Sequence, residues 1–422
     1  MSKLGPFEPQ PEIAVAVSGG SDSLALALLA HQWAKERNGS ILALSVDHGL
    51  RTGSTSELAE VKRWMKCHGI AHRILTWKGE KPKTGQMAAA RLARYALLEN
   101  ACKKAGILHL MTAHQREDQA ETLLLRLARG SGAEGLAAMS PVLPMRHVRL
   151  LRPLLGVDRA SLRNYLKARS QDWIEDPSND NLAFERVRLR QLAPLLAELG
   201  LSAASLAASA GKLHRLRRHL EGEAALLLAR HARLDALGFA WLARQSLTEP
   251  DEILRRALAC LLASLSGAAF LPGEDQMDAL LERLRGESWK GCTLAGCRLA
   301  PRQGQILIVR EAAACQEQVK LVPGQEGVWD GRYRFLGPRK RGLRLGALGA
   351  REAEKLAQDH PTLKSKGVPA LAWASLPALS DARGVFAVPA LGYKRNSRCP
   401  DSLTELIFLP RRAVLGSALL LS

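Results

Sequence analysis

Residues Glu12-Ile-Ala-Val-Ala-Val17 form a short apolar run, and Ser18-Gly19-Gly20-Ser21-Asp22-Ser23 follows it directly. Behind that hexapeptide, Leu24–Arg37 carries the apolar spacing of a helix. A short apolar run that ends in a glycine pair predicts a buried strand, and the next stretch predicts a helix. The alternation continues: Ile41–Val46 and, less strongly, His72–Trp77 and Ile107–Thr112 predict strands, with helices over Glu57–His68 and Ala88–Lys104. Strand and helix repeating at this spacing predict an α/β fold, a Rossmann-like parallel sheet with right-handed crossovers. Such sheets bind ligands beyond the carboxyl ends of their strands. Chemistry is therefore expected in the loops that leave Val17, Val46 and Thr112.

The chain is long for one such domain. Its 422 residues predict two or three domains. Boundaries are placed near 205 and 320, giving a catalytic domain (1–205), a helical domain (206–320) and a small α+β domain (321–422). Ser202–His231 predicts one long basic helix, 250–290 predicts further helix, and Cys292–Leu299 with Gln305–Val309 predicts a hairpin. Sixty Lys and Arg against 41 Asp and Glu leave a net charge of +19, which points to an anionic partner, nucleic acid first. Hydrophobic residues at 47% exclude a disordered basic tail. No apolar run approaches the roughly 18 residues of a membrane span, and 1–12 lacks a secretory h-region. Seven scattered cysteines are no disulfide framework. These features predict a cytoplasmic protein without a membrane partner.

Four elements carry candidate chemistry. Ser18, Gly19, Gly20, Ser21, Asp22 and Ser23, between a strand and a helix N-terminus, make a cradle for a phosphate chain. The bland alternative is a turn in which Asp22 or Ser23 caps the helix. A Walker A pattern is absent, and Gly130-Ser-Gly132-Ala-Glu-Gly135 follows a helical stretch, so it reads as a helix stop and loop. Val46-Asp47-His48-Gly49-Leu50-Arg51 sets Asp47 and Arg51 beside the nucleotide, or else is a solvated turn. His114, Asp118 and Glu121 share one face of a helix, suited to Mg²⁺ on phosphates or to a substrate amine. Their alternative is an exposed helix start. Arg91 and Arg94, then Arg126 and Arg129, repeat a three-residue spacing. Arg186, Arg188 and Arg190 form an arginine comb, expected along one side of an extended strand. Gly331–Arg344 carries six basic residues with Tyr333 and Phe335 between them. It is either an RNA-contacting segment or a small β unit whose aromatics fill its core.

The hexapeptide resembles the loop of the PP-loop ATP pyrophosphatases. In combination with Asp47-His-Gly-Leu-Arg51, Ala90-Arg-Leu-Ala-Arg-Tyr95, His114-x3-Asp118-x2-Glu121-Thr122, Arg129-Gly-Ser-Gly132, Arg152-Pro-Leu-Leu155 and Asp176-Pro-Ser-Asn179, the first 190 residues resemble the tRNA(Ile)-lysidine synthase family. Two departures stand out: Glu117 occupies a position where many members have aspartate, and Val187 interrupts a stretch where Arg-Asn-Arg is common. The resemblance implies that ATP with Mg²⁺ adenylates the wobble cytidine of the CAU-anticodon isoleucine tRNA, and that free lysine then displaces AMP. It implies catalytic roles for Asp22, His114, Asp118 and Arg91, and ATP contacts from residues 18–23, Asp47 and Arg51. Substrate contacts fall to Arg94, Glu121, Arg129, Arg186 and Arg188, metal contacts to Asp22 and Asp118, and the assembly to a monomer or homodimer. A PP-loop thiolase would need a Cys-x-x-Cys pair near the loop, and the first domain has only Cys67 and Cys102. A non-catalytic RNA-binding protein would not need an intact hexapeptide.

Overall fold

The computed structural model describes residues 1–49, 54–79, 81–82, 84–175, 185–268, 271–286, 288–337, 342–395 and 405–411. Arg51 and the segment Asp176–Asn179 lie outside the described residues. The chain divides into two compact units, Met1–Arg217 and Arg218–Ser422.

In the first unit the elements are β1 (Glu12–Ala16), α1 (Ser21–Lys35), β2 (Ser40–Asp47), α2 (Ser54–Cys67), β3 (Ala71–Thr76), α3 (Gln86–Ala105) and β4 (His109–Met111). Then come α4 (Arg116–Ala128), a single turn α5 (Ala133–Leu136), β5 (Val142–Pro144), β6 (Arg149–Leu151), α6 (Arg159–Lys167) and α7 (Glu185–Glu198); α8 (Ala203–His231) begins in this unit and ends in the second. The described strands order as β3-β2-β1-β4-β6-β5, all parallel except the last pair. Alternation along β1 serves both faces. Ile13 and Val15 pack with α1, α2 and α6, while Ala14 packs with Leu98 and Cys102 of α3. The order reverses between β1 and β4, so the chain leaves these neighbours toward opposite sides and opens a crevice at their carboxyl ends. The four expected strands and the expected helices are all present. The β5–β6 hairpin was not foreseen, because three-residue strands are too short to show a period.

The arginine comb is corrected. Arg186, Arg188 and Arg190 lie on helix α7, not on an extended strand. At 3.6 residues per turn Arg186 and Arg190 share a face, while Arg188 is turned away from them and exposed. The expected helix stop at Gly130 is present: its φ is +66°, and its N–H bonds back to Leu127 O.

In the second unit the segment 292–310 is a three-strand meander rather than a hairpin, because Ala295 and Gly296, both at positive φ, turn the chain inside the expected first strand. Helices Asp251–Ser266 and Glu274–Arg285 cover one face of the sheet it joins. Ile306 and Ile308 face those helices. Leu307 and Val309 face a second core with Leu348, Trp373 and Val388, so residues on both sides of position 320 share one interior. In the described residues of Gly331–Arg344 (331–337 and 342–344) the aromatics take the structural alternative. Trp329, Tyr333 and Phe335 are core residues, and Tyr333 OH donates to Leu237 O at 2.8 Å.

A buried ion cluster fixes this unit. Asp330, 2% exposed, accepts from Arg310 Nε at 3.1 Å and Nη2 at 3.0 Å, and from Arg332 Nε at 2.6 Å. Burial would raise its carboxyl, but the two guanidinium groups hold it below the usual carboxylate range. Removing one partner of such a group strands the others without water. Asp330→Asn keeps a side chain that tolerates the φ of +52° and deletes only the charge. Urea unfolding should show a loss of about 3–5 kcal/mol; an unchanged transition would contradict the assignment.

Candidate active site

The phosphate loop sits at the end of β1, where helix α1 begins at Ser21, earlier than periodicity suggests. The first-turn N–H groups of a helix have no intrahelical acceptor and attract anions. Gly20 occupies the cap position without a side-chain bond, so neither Asp22 nor Ser23 caps the helix. Instead the loop is tied internally. Ser18 N donates to Ser23 Oγ at 3.1 Å, and Ser23 Oγ donates to Gly20 O at 2.9 Å. Gly19 has a φ of +95°, and a Cβ there would stand 2.7 Å from Ile174 Cδ1 and 3.0 Å from Val61 Cγ2. Ile174 also donates its N–H to Gly19 O at 2.9 Å. The loop is pressed between α2 and the 171–175 segment, and only glycine fits.

Asp22 in α1 and Asp118 in α4 meet at the crevice. Burial holds the Asp22 carboxyl above the usual carboxylate range, Arg159 (Nε to Oδ2, 3.7 Å) pulls it down, and Asp118 pushes it up again. One Asp118 oxygen is engaged locally: Oδ2 accepts from Gln115 N at 3.0 Å, completing the cap of α4. Its Oδ1 stands 4.0 Å from Arg186 Nη1 and 3.9 Å from Arg190 Nη2. Glu121, on the same face, accepts from Arg190 Nε at 2.6 Å. Burial raises the Glu121 carboxyl against that bond. Burial also opposes the Arg190 cation, yet its bond to Glu121 and the nearby carboxylates more than offset this and raise its pKa.

His114 corrects the expected shared helix face: it lies in the turn between β4 and the Gln115 cap of α4, so only Asp118 and Glu121 are on the helix, and His114 reaches the site from the turn. Its pKa is pushed down to about 4 by burial first and then by Arg152, with Asp118 opposing and Arg91 and Arg186 adding to the fall. The ring is thus neutral near pH 7 and shares a hydrogen bond of 3.1 Å between Nδ1 and Thr112 Oγ1. The burial and the cations that keep it neutral also make it a weak base.

The structure therefore brings residues 18–23, Asp22, His114, Asp118, Glu121 and Arg186 together. Arg91 acts on His114 from an exposed position over the Tyr95 ring at 5.2 Å. Asp47 lies at the end of β2, accepting from Gly49 N at 2.9 Å, and the exposed Arg94 acts electrostatically on His48. Arg129 is tied at the surface to Glu185 Oε2 at 2.7 Å. Sequence reasoning missed Arg159 altogether, named Arg152 only within a motif, and named Arg190 only as part of the comb without pairing it to Glu121. Arg190 was legible from its i,i+4 spacing to Arg186 once 185–198 is helix. Arg159 had no local signal, since tertiary packing of α6 on α1 brings it to Asp22.

Comparison with known proteins bears directly on this cluster. Residues 2–196 match the PP-loop domain family model. The tRNA(Ile)-lysidine synthase of Ruegeria pomeroyi is 35% identical over 91% of this chain and 90% of its own length. That of Mesorhizobium japonicum is 39% identical over 82% of this chain and 77% of its own. The chain belongs to the tRNA(Ile)-lysidine synthase family. The Wolbachia pipientis relative, 30% identical, extends the similarity to 94% of this chain, so the second unit belongs to it too. The family's PP-loop domain implies use of ATP. Both departures from the family pattern have a structural use. Glu117 accepts from Arg159 N at 3.3 Å through both carboxylate oxygens and so tethers the start of α6. Val187 is buried on α7.

Two outcomes follow. Gly19→Ala should weaken ATP binding about tenfold or more by calorimetry. Gly156→Ala, which meets nothing within 4 Å, should leave it unchanged; equal affinities for both would contradict the close packing of the loop. The His114 ring should stay neutral on NMR titration down to about pH 5. Its folded pKa lies below the unfolded value, so its contribution to stability is present above pH 6.5 and is lost as pH falls through about 4. An ordinary midpoint near 6.5 would contradict its burial.

Proposed function

We propose that this chain joins free lysine to C2 of the wobble cytidine in the CAU-anticodon isoleucine tRNA, consuming ATP and releasing AMP and pyrophosphate. The observation that carries this is the meeting of the phosphate loop, Asp22, Asp118 and a neutral His114 at one crevice, in a chain of this family. Cytidine O2 attacks the α-phosphorus, and pyrophosphate leaves into the loop. The lysine ε-amine then forms the N–C2 bond, the C2–O2 bond breaks, and O2 departs on AMP. His114 takes the proton shed by the amine.

The residues fit ATP and Mg²⁺. A loop that excludes a Cβ at Gly19 leaves backbone N–H groups open to a phosphate chain, and two mutually repelling carboxylates suit a divalent cation. Among the described residues no group of three His, Cys, Asp or Glu is placed to hold a metal, so Asp22 and Asp118 would hold Mg²⁺ that arrives on the phosphates. Bound there, it would neutralise charge developing on the pyrophosphate. Lysine fits an adjoining pocket of about 240 Å³ between α4, α7 and α8. Leu124, Leu189, Leu196 and Leu206 offer walls for its stem, and Glu121 and Arg190 sit at the polar side. Sulfur transfer is a poorer fit: Cys102 is buried and its thiol is pushed up to about 12 by that burial, while Cys67 stands alone and exposed.

The tRNA body falls to the later part of the chain (206–320 and 321–422 by the expected division), in a cytoplasmic monomer or homodimer. Among the described residues no single helix is long and apolar enough to cross a membrane. The test supplies ATP, Mg²⁺, radiolabelled lysine and bulk tRNA. Label should enter acid-insoluble material, and none above background with folded protein and the CAU isoleucine tRNA present would sink the reading. Asp118→Asn keeps the cap on Gln115 and removes the charge. It should lower tRNA-dependent AMP formation about a hundredfold with tRNA affinity nearly unchanged, whereas equal loss of both would assign Asp118 to binding or folding.

A further inference from the structure

The chain has eight tryptophans. Trp33, Trp64, Trp173, Trp241, Trp289, Trp329 and Trp373 pack into or against the hydrophobic cores, and Trp77 does not. It stands half-buried just past β3, at the same carboxyl edge as the phosphate loop, where its backbone N–H donates to Asp47 O at 2.9 Å. The His48 ring meets it edge-on, with centroids 6.1 Å apart and planes at 87°. Lys81 Nζ lies 5.9 Å from the Trp77 ring and donates to Gly49 O at 2.6 Å, which ties the loops after β2 and β3 together. His48 Nδ1 is buried without a hydrogen-bond partner. Burial first and Arg94 next lower the His48 pKa, so the Arg94 cation acts on this ring. On α3, Arg91, Arg94, Met87 and Leu92 are all exposed, the last two at 65% and 74%.

A fixed aromatic ring outside the core, buttressed by a second ring and surrounded by cations, suits a flat aromatic ligand with negative charge beside it. An unpaired nucleobase and its phosphate have that chemistry, and base–aromatic stacking is a main source of affinity for single-stranded nucleic acid. We propose that Trp77, braced by His48 and flanked by Lys81 and Arg94, stacks on an unpaired base of the substrate RNA loop close to the nucleotide that reacts. This rests on the proposed function, since it requires a single-stranded RNA target at the sheet edge. It adds a positioning surface on the catalytic unit itself, at the carboxyl edge of β3.

The test uses the full chain, an anticodon stem-loop RNA of the CAU isoleucine tRNA, and ATP binding as an internal control. Trp77→Ala should raise the Kd for the stem-loop about tenfold, while Trp77→Phe should stay within about threefold of the wild type. ATP affinity should be unchanged in both. Stem-loops carrying an abasic nucleotide at each loop position in turn should include one that the wild type binds as weakly as Trp77→Ala does, and on which the variant loses nothing more. The proposal is overturned if Trp77→Ala binds the intact stem-loop like the wild type. It is equally overturned if Trp77→Ala and Trp77→Phe lose RNA and ATP binding together, which would mark a structural role. Wild-type protein that does not bind the stem-loop and does not incorporate lysine overturns the functional reading along with it. Normal lysine incorporation with unaltered Trp77→Ala binding overturns the platform alone.

Discussion

Asp22 and Asp118 come from the first turns of two helices that flank the β1–β4 crevice, and their mutual repulsion is what the site is built to contain. Arg159 answers one carboxylate, and Arg186 and Arg190 answer the other at longer range. The distances of 3.7–4.0 Å matter. They temper the charge without closing it into tight ion pairs, leaving both carboxylates able to take a cation that approaches from the crevice. Arg186, together with Arg152 and Arg91 and added to burial, also keeps His114 neutral. Two carboxylates and an uncharged imidazole thus share one crevice.

That arrangement depends on topology. A parallel sheet that changes direction between β1 and β4 sends α1 and α4 away from neighbouring strand ends, so residues nearly a hundred positions apart share a site. Ile174 presses the phosphate loop from below, and Glu117 fixes the start of α6, which carries Arg159. The support for the site therefore lies in residues that carry no obvious chemical signature.

This explains what was legible in the sequence. The strands around Val15 and Leu44 and the long helix ending at His231 announce themselves by period, and the Ser18–Ser23 loop by composition and context. Asp118 and Glu121 were readable because i and i+3 on a helix must lie side by side. Arg159 and Ile174 were not, since each reaches the loop through tertiary packing. The arginines of 186–190 were read on the wrong period: alternation suggests a strand, but α7 is helical and pairs Arg190, not Arg188, with Glu121. Tyr333 and Phe335, which sequence alone left between RNA contact and core, are core. The net charge of +19 also takes on a different meaning. Arg126, Arg149 and Arg152 each clamp backbone carbonyls across loops. Such arginines shape the fold and still add to the positive field, so charge and structural duty are not separate accounts.

The central claim is that Asp22 and Asp118 jointly face the nucleotide's metal at the β1–β4 crevice. Crystals of the full chain grown with ATP and Mn²⁺ would show this through anomalous scattering. A manganese peak should lie within bonding distance of both carboxylates, with the phosphate chain lying along residues 18–23. A nucleotide bound there whose metal touches neither aspartate, or one bound away from the crevice, would contradict it.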